Sequence, residues 1–315
     1  MIGTDLHTAA NYLRQGEVVA IPTETVYGLA GNALDPVAVS KIFEVKNRPR
    51  FDPLIVHCAG AAQFARYARE LPDAVQLLSQ KYIPGPLTFL LPKSALVPDI
   101  VTAGSQRVAL RVPNHPLARK LLHALPFPLA APSANPFGYI SPTTAQHVDD
   151  QLGGRLPYIL DGGPCSIGVE STILGFEDGM PVVYRKGGLA IEEIEAVIGK
   201  VEVRAHSSSN PNAPGMLKSH YAPRARLILG KLEELLRAYE GEQVGIISFQ
   251  RSYDQLAADR QLVLSPTGDF AEAARRLFAG MRQLDQLGLS LILAELLPEE
   301  GLGRAINDRL RRAAA

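Results

Sequence analysis

Short apolar runs recur along the N-terminal part of the chain, each closed by a polar, Gly- or Pro-bearing turn. EVVAIP, PLIVHC, LTFLLP, RVALRV, FPLAAP, PYILDG, STILGF and PVVYRK are β-branched or apolar and of strand length. Helical spacing fills the gaps between them. MIGTDLHTAANYLRQG reads as an amphipathic helix with Thr4 as N-cap and Gly16 just past its end. DPVAVSKIFEVK starts with Asp35 as N-cap and Pro36 in the first turn, and SPTTAQHVDDQLGG starts with Ser141 and Pro142 and stops at glycine. Strands outnumber long helices, so the pattern predicts an α/β fold built on one large mixed sheet.

Near residue 205 the texture changes. AHSSSNPNAPGMLKSHYAPRAR has no periodic apolar face and reads as a linker over 206–226, between a first domain (1–205) and a second (227–315). The second domain alternates RLILG, a helix over 231–240, QVGIISF, another helix and QLVLS. DFAEAARRLFAGMRQLDQLG then places Phe270, Ala273, Ala274, Leu277, Phe278, Met281, Leu284 and Leu287 at helical spacing. LSLILAEL supplies a last strand and GLGRAINDRLRRAAA a closing helix. Such alternation predicts a small parallel, Rossmann-like domain, and without G-x-G-x-x-G after its first strand no dinucleotide is expected there.

Composition narrows the function classes. A chain of 315 residues exceeds one ordinary core, and 46% hydrophobic with 20% charged residues is globular. Lys plus Arg and Asp plus Glu both count 32, which gives no support to strong nonspecific nucleic-acid binding. The two cysteines, Cys58 and Cys165, lie far apart outside any C-x-x-C, so neither a disulfide framework nor a structural zinc is expected and a cytoplasmic setting fits. The N-terminus lacks a secretory h-region. The greasiest stretch, LGLSLILAELLP, is broken by Glu295 and Pro298, so no membrane span is expected.

Candidate chemistry sits at strand ends. PTETVYGLAG puts Thr23, Glu24 and Thr25 just after a strand, as a polar cap of the next element or as a ligand edge. In KIFEVKNRPRFDPLIVH, Lys46, Arg48 and Arg50 cluster at a helix C-terminus, which favours cations in any case. Pro49 and Pro53 stiffen that loop, and rigid basic loops suit polyphosphates. His57 closes the next strand, as a core residue or a site residue. Arg107 and Arg111 share one face of a strand; a buried arginine there pairs with an Asp or Glu or awaits an anion. APSANPFGYISPTT offers Ser133 and Asn135 after a strand, but no G-x-S-x-G. The glycines of ILDGGPCSIGVESTIL lack the Lys–Ser/Thr of a phosphate loop and leave Ser171 at a strand start, with Arg185 ending the next strand.

In order, PTETVYGL, K-x-R-P with PLIVH behind it, PGPLTFLL, RVP, SAN then SPT, DGG, ESTI and RKG resemble the threonylcarbamoyl-AMP synthase family, with its YrdC-type catalytic domain. The resemblance spans residues 5–200, and Pro214–Met216, His220–Pro223 and GLGRAINDRL match the longer two-domain form. It implies a YrdC-like twisted mixed sheet with surrounding helices around a basic concavity. It also implies an enzyme, a nucleotidyltransferase, that joins L-threonine, bicarbonate or CO2, and ATP into threonylcarbamoyl-AMP and pyrophosphate. Its product serves the tRNA threonylcarbamoyl-transfer machinery.

By motif, the resemblance puts Lys46, Arg48, Asp52, Ser133, Asn135, Ser141, Arg185 and Tyr221 around ATP, with Lys46 and Arg48 catalytic. It puts Thr25, His57, Arg111, Ala131 and Ser171 around threonine. Mg2+ is expected on the triphosphate, held by phosphates and water because no acidic cluster stands out. Asn47 departs from the usual K-G-R-P, Asp52 sets a carboxylate in a phosphate-facing loop, and Arg107, Ala213 and Leu217 also depart from the family pattern. A double-stranded RNA-binding or ribosome-associated module of the same fold is the rival reading. The basic concavity leaves room for a weak RNA contact, though the neutral balance counts against a strong one.

Overall fold

The computed structural model describes residues 1–204 and 220–315. Most of the expected linker, with Ala213, Pro214–Met216 and Leu217, lies outside the described residues. Every apolar run quoted above from the N-terminal part holds a strand. The strands there are β1 (Ile2–Gly3), β2 (Val19–Ile21), β3 (Gly28–Asn32), β4 (Ile55–His57), β5 (Leu87–Pro92) and β6 (Arg107–Arg111). β7 (Leu129–Ala130), β8 (Ile159–Leu160), β9 (Thr172–Glu177), β10 (Met180–Arg185) and β11 (Glu202–Val203) follow. Among the described residues they form one 11-stranded sheet, ordered β1-β8-β2-β3-β7-β4-β6-β5-β9-β10-β11. β3, GLAGN, has little strand propensity. Its glycines are there for close approach: a Cβ on Gly28 would stand 3.2 Å from that of Ala131, and one on Gly31 3.3 Å from the Ala38 carbonyl.

The sheet's mixed pairing creates the site. β4 runs parallel to β6 and β5 parallel to β9, whereas β5–β6 and β9–β10 are antiparallel. The C-terminal ends of β4, β6 and β10 therefore meet the N-terminal ends of β5 and β9 along one edge. His57 is the register partner of Arg111, and so is Thr88 from the other side.

Helix starts differ in detail from the expectation. Asp5, not Thr4, caps the first helix (Leu6–Arg14), accepting from the His7 and Thr8 amides. Asp35 caps Pro36–Lys46 as expected, and that helix ends on Asn47 in the left-handed region (φ 51°). Asparagine tolerates that conformation best after glycine, which explains how it replaces the glycine of K-G-R-P. The Ser141–Pro142 start is displaced. Thr144 caps the helix Ala145–Leu152, which leaves Ser141 free for a different contact.

The second sheet is fully parallel: β12 (Arg226–Leu229), β13 (Val244–Ser248), β14 (Gln261–Val263) and β15 (Leu291–Ala294), ordered β12-β15-β13-β14. The helix expected between β13 and β14 is absent. Turns and a short 3-10 stretch (Ala258–Arg260) take its place, since SYDQLAAD carries no continuous apolar face. Phe270–Gln286 is helical, with Ala273, Ala274, Leu277, Phe278, Met281 and Leu284 buried, but Leu287 falls at the C-cap and is exposed. This helix packs against the first domain. Its apolar face shares one cluster with Val26, Ile140, Val169 and Tyr221. Gly168 (φ +87°) lies tight against it, for a Cβ there would lie 2.5 Å from Arg275 Cα.

Candidate active site

Two groups of residues, here the two walls, line a narrow cavity of about 50 Å³. The residues lining it include Thr25, Arg48, His57, Arg111, Ala131, Ser133, Glu170, Arg185, His220 and Tyr221.

The first wall belongs to the sheet edge. Arg111 Nη2 donates to Glu24 Oε1 (2.7 Å) and Thr25 Oγ1 (2.9 Å), and its Nε to the Gly85 carbonyl (3.3 Å). Of the two options left open for a buried arginine, pairing with a carboxylate is realised, yet Arg111 still lines the cavity. Beside it, burial and the Arg111 charge lower His57 to about 3, so the imidazole is neutral. Arg107 does not join Arg111. Four residues along a strand separate them by about 13 Å, and Arg107 instead reaches Tyr184 Oη (2.7 Å) and Glu177 at the far end of β6.

A second group, Arg48, Ser133 and Arg185, lines the rest of the cavity, with Arg185 at the end of β10 on the same sheet edge as Arg111. Arg48 donates to the Asp52 and Pro53 carbonyls (3.2 and 2.9 Å) and pairs with the Asp52 carboxylate at 2.8 Å. Asp52 is fully buried, so the carboxylate expected to face ATP sits beneath Arg48 and acts on the cavity through it. Lys46 is also one layer back: its ammonium, 1% exposed, donates to the Ser133 and Asn135 carbonyls. Burial, with Arg48 nearby, holds its pKa well below the ordinary lysine value. Asn135 donates to the Pro136 and Tyr139 carbonyls (2.9 and 2.8 Å), leaving Oδ1 unpartnered among the described residues. Arg185 holds Ser171 by its carbonyl and its hydroxyl, both at 3.0 Å, and Ser171 Oγ lies 2.7 Å from Thr88 Oγ1. Burial lowers Arg185 to about 10, still cationic at neutral pH.

The far end is closed by parts of both domains. Ser141 Oγ donates to Glu170 Oε1 (2.6 Å), whose Oε2 accepts from Arg309 Nε of the closing helix Gly303–Ala313 (2.7 Å). Burial alone would raise the Glu170 carboxyl; the Arg309 and Arg185 charges with the Ser141 hydroxyl outweigh it, and the group lies below the usual carboxylate range. Tyr221, at φ 66°, stacks on Phe278 with centroids 5.4 Å apart, and the Arg309 guanidinium carbon lies over its ring, 5.1 Å from the centroid. His220 packs edge-on between Phe137 and Tyr221.

A family model described as "Telomere recombination" (Sua5, YciO and YrdC) matches residues 11–187. Another, described as "Threonylcarbamoyl-AMP synthase, C-terminal domain", matches residues 189–315. The threonylcarbamoyl-AMP synthase of Pyrococcus abyssi is 44% identical, over 98% of this chain and 94% of its own. The chain belongs to the threonylcarbamoyl-AMP synthase family. The Bacillus subtilis synthase is 42% identical over 97% of this chain and 92% of its own. A crystal structure of P. abyssi Sua5 complexed with L-threonine superimposes with a TM-score of 0.92 at 43% identity, covering 98% of this chain and 94% of that one.

Within this enzyme family's pattern, the fold joins all the expected site residues into one constellation, though in two layers. Lys46, Asp52, Asn135, Ser141 and Ser171 each brace a residue or loop at the cavity rather than line it. Sequence reasoning missed Glu170, Arg309 and Arg282. The motifs ESTI and GLGRAINDRL contained the first two, but nothing local pairs residues 139 positions apart.

Proposed function

We propose that this synthase-family enzyme acts as a nucleotidyltransferase, with L-threonine on the Arg111 wall and ATP along the Arg48–Arg185 wall. The observation that carries this reading is the convergence of Arg48, Arg111 and Arg185 with a neutral His57 on one small cavity. Both partners in the chemistry are anionic, so their approach needs fixed cations more than a nucleophilic side chain. Threonine's amine adds to CO2, losing a proton, to give the carbamate. A carbamate oxygen then attacks the α-phosphorus, the bond to the bridging oxygen breaks, and pyrophosphate leaves. Arg111 receives the threonine carboxylate, and Thr25, His57, Ala131 and Ser171 shape the pocket around the amino acid. Arg48 and Arg185 neutralise the phosphates, while Lys46 and Asn135 hold Ser133 toward them.

Magnesium enters as part of the MgATP substrate. No group of three or more His, Cys, Asp or Glu placed for a metal occurs among the described residues, and Glu170 is engaged by Arg309 and Ser141. The cavity is far below the roughly 300 Å³ of small-molecule sites, so His220 and Tyr221 shift to admit ATP, and Tyr221 packs against the bound nucleotide. The solved relative's complex with L-threonine supports the amino-acid half of the reading. A product destined for tRNA fits a cytosolic enzyme. No helix among the described residues is long and apolar enough to cross a membrane.

The test is pyrophosphate release from ATP. It is expected to require both threonine and bicarbonate. Release indifferent to threonine, or salt-sensitive RNA binding without turnover, overturns the reading.

A further inference from the structure

The closing helix Gly303–Ala313 belongs to the second domain, yet its Arg309 is fully buried against the first. Arg309 Nε donates to Glu170, Nη1 donates to Asp308 (2.7 Å), and Nη2 has no hydrogen-bond partner among the described residues. An ion pair this deep is a poor way merely to glue two domains. Desolvation cancels much of its attraction, and an apolar pair of the same volume would close the interface as well. The interface already has such glue in the cluster around Phe278 and Val169. What the ion pair adds is direction. Glu170 holds Ser141 at 2.6 Å with one oxygen while Arg309 fixes the other.

The same loop is gripped a second time from the second domain. Arg282, 4% exposed, donates to the carbonyls of Ile140, Ser141 and His147. Asp285 accepts from Tyr139 Oη (2.5 Å). A buried helix-borne guanidinium and a second helix thus converge on residues 139–141.

We propose that Arg309 is a positioning residue for the nucleotide half of the reaction, setting the Ser141 hydroxyl through Glu170, so that the second domain is a working part of the active site. This rests on the assignment of ATP to the Arg48–Arg185 wall, which Ser141 adjoins through Glu170 of the cavity lining. Arg309 touches no substrate in this account. It fixes the carboxylate that orients the hydroxyl.

The experiment uses the full chain and a nonhydrolysable ATP analogue, with binding of the analogue and of threonine measured separately. R309M is expected to weaken the analogue about tenfold, the scale of one charge-assisted hydrogen bond, and to change threonine affinity less than about twofold. S141A should weaken the analogue in the parent but add less than about twofold on R309M, because both remove one chain of contacts. R304A, which cuts the exposed Arg304–Glu192 interdomain pair, should leave both affinities unchanged. R309K should recover part of the loss. If R309M does not fold, R309K and S141A form the same cycle. Independent, multiplying effects of Ser141 and Arg309, an R304A as damaging as the Arg309 variant, or equal losses for threonine and analogue would overturn the proposal. A parent that binds the analogue but releases no threonine-dependent pyrophosphate would instead overturn the functional reading, and the binding cycle would still decide Arg309.

Discussion

The two walls of the cavity are built by different means. The Arg111 wall is made within one sheet: His57 and Arg111 are register partners on parallel strands, and Glu24 and Thr25 come from the turn after β2. The far end of the nucleotide wall is assembled from Ser141 and Glu170 of one domain, Arg282 and Arg309 of the other, and Tyr221 between them. A wall fixed by strand pairing cannot relax without breaking the sheet. One made across an interface can open as the domains separate. On the proposed assignment, the amino-acid half is preformed and the nucleotide half is the part expected to close.

The sharpest way to break this contrast is at Arg111. Arg111→Ala strands Glu24 as a buried, unpaired carboxylate, at a cost of about 3–5 kcal/mol, and removes the group assigned to the threonine carboxylate. Thermal melting should fall by many degrees, and calorimetry should find no threonine binding. A stable variant that still binds threonine would show that the first wall is not what holds the amino acid.

Arg48→Ala and Lys46→Ala are next. Both are expected to abolish pyrophosphate release in a steady-state assay, but neither is a clean deletion of a ligand contact. Arg48→Ala removes the ion pair made with buried Asp52, and Lys46→Ala removes the ammonium that bridges the Ser133 and Asn135 carbonyls. Denaturant midpoints should drop along with activity. Normal turnover in either variant would mean that the second wall has been misassigned.

Acid should act on both halves through their buried histidines. Burial lowers His57 and His220 each to about 3, below the ordinary 6.5. The unfolded chain then binds more protons in that window, so stability is full above about pH 6.5 and is lost as pH falls toward 3. At about pH 5 each histidine should cost about 2 kcal/mol. His57→Asn and His220→Asn should each flatten the dependence of melting temperature on pH. A flat profile in the parent would contradict their neutral, buried state.

The smallest effect is expected at Arg107, whose half-buried contacts with Tyr184 and Glu177 lie away from both walls. Arg107→Ala should cost about 1 kcal/mol or less and leave turnover intact. A large loss of turnover would extend the site along β6.

The same contrast governs what could be read from the sequence. Features set by near neighbours were legible: the apolar runs that became strands, Asp35 and Pro36 opening a helix, the parallel second sheet, and the placing of Lys46 and Arg48 at one helix end, although Arg50 of the same expected cluster is exposed. Caps were legible only in kind, because Thr4 and Asp5, or Ser141 and Thr144, offer competing oxygens a few residues apart, and geometry chooses. β3 was hidden by its glycines, which serve close packing and not strand propensity. Shared strand face was taken for shared destination at Arg107 and Arg111, where distance along the strand separates them. The Glu170–Arg309 pair was beyond reach, since nothing within either segment names its partner.

The most direct test of the contrast is Tyr221→Ala, with threonine and a nonhydrolysable ATP analogue titrated separately by calorimetry. The analogue should bind several-fold more weakly, about the loss of one aromatic stacking contact, with threonine affinity unchanged. Equal weakening of both ligands, or of threonine alone, would contradict a preformed amino-acid wall beside a nucleotide wall that closes.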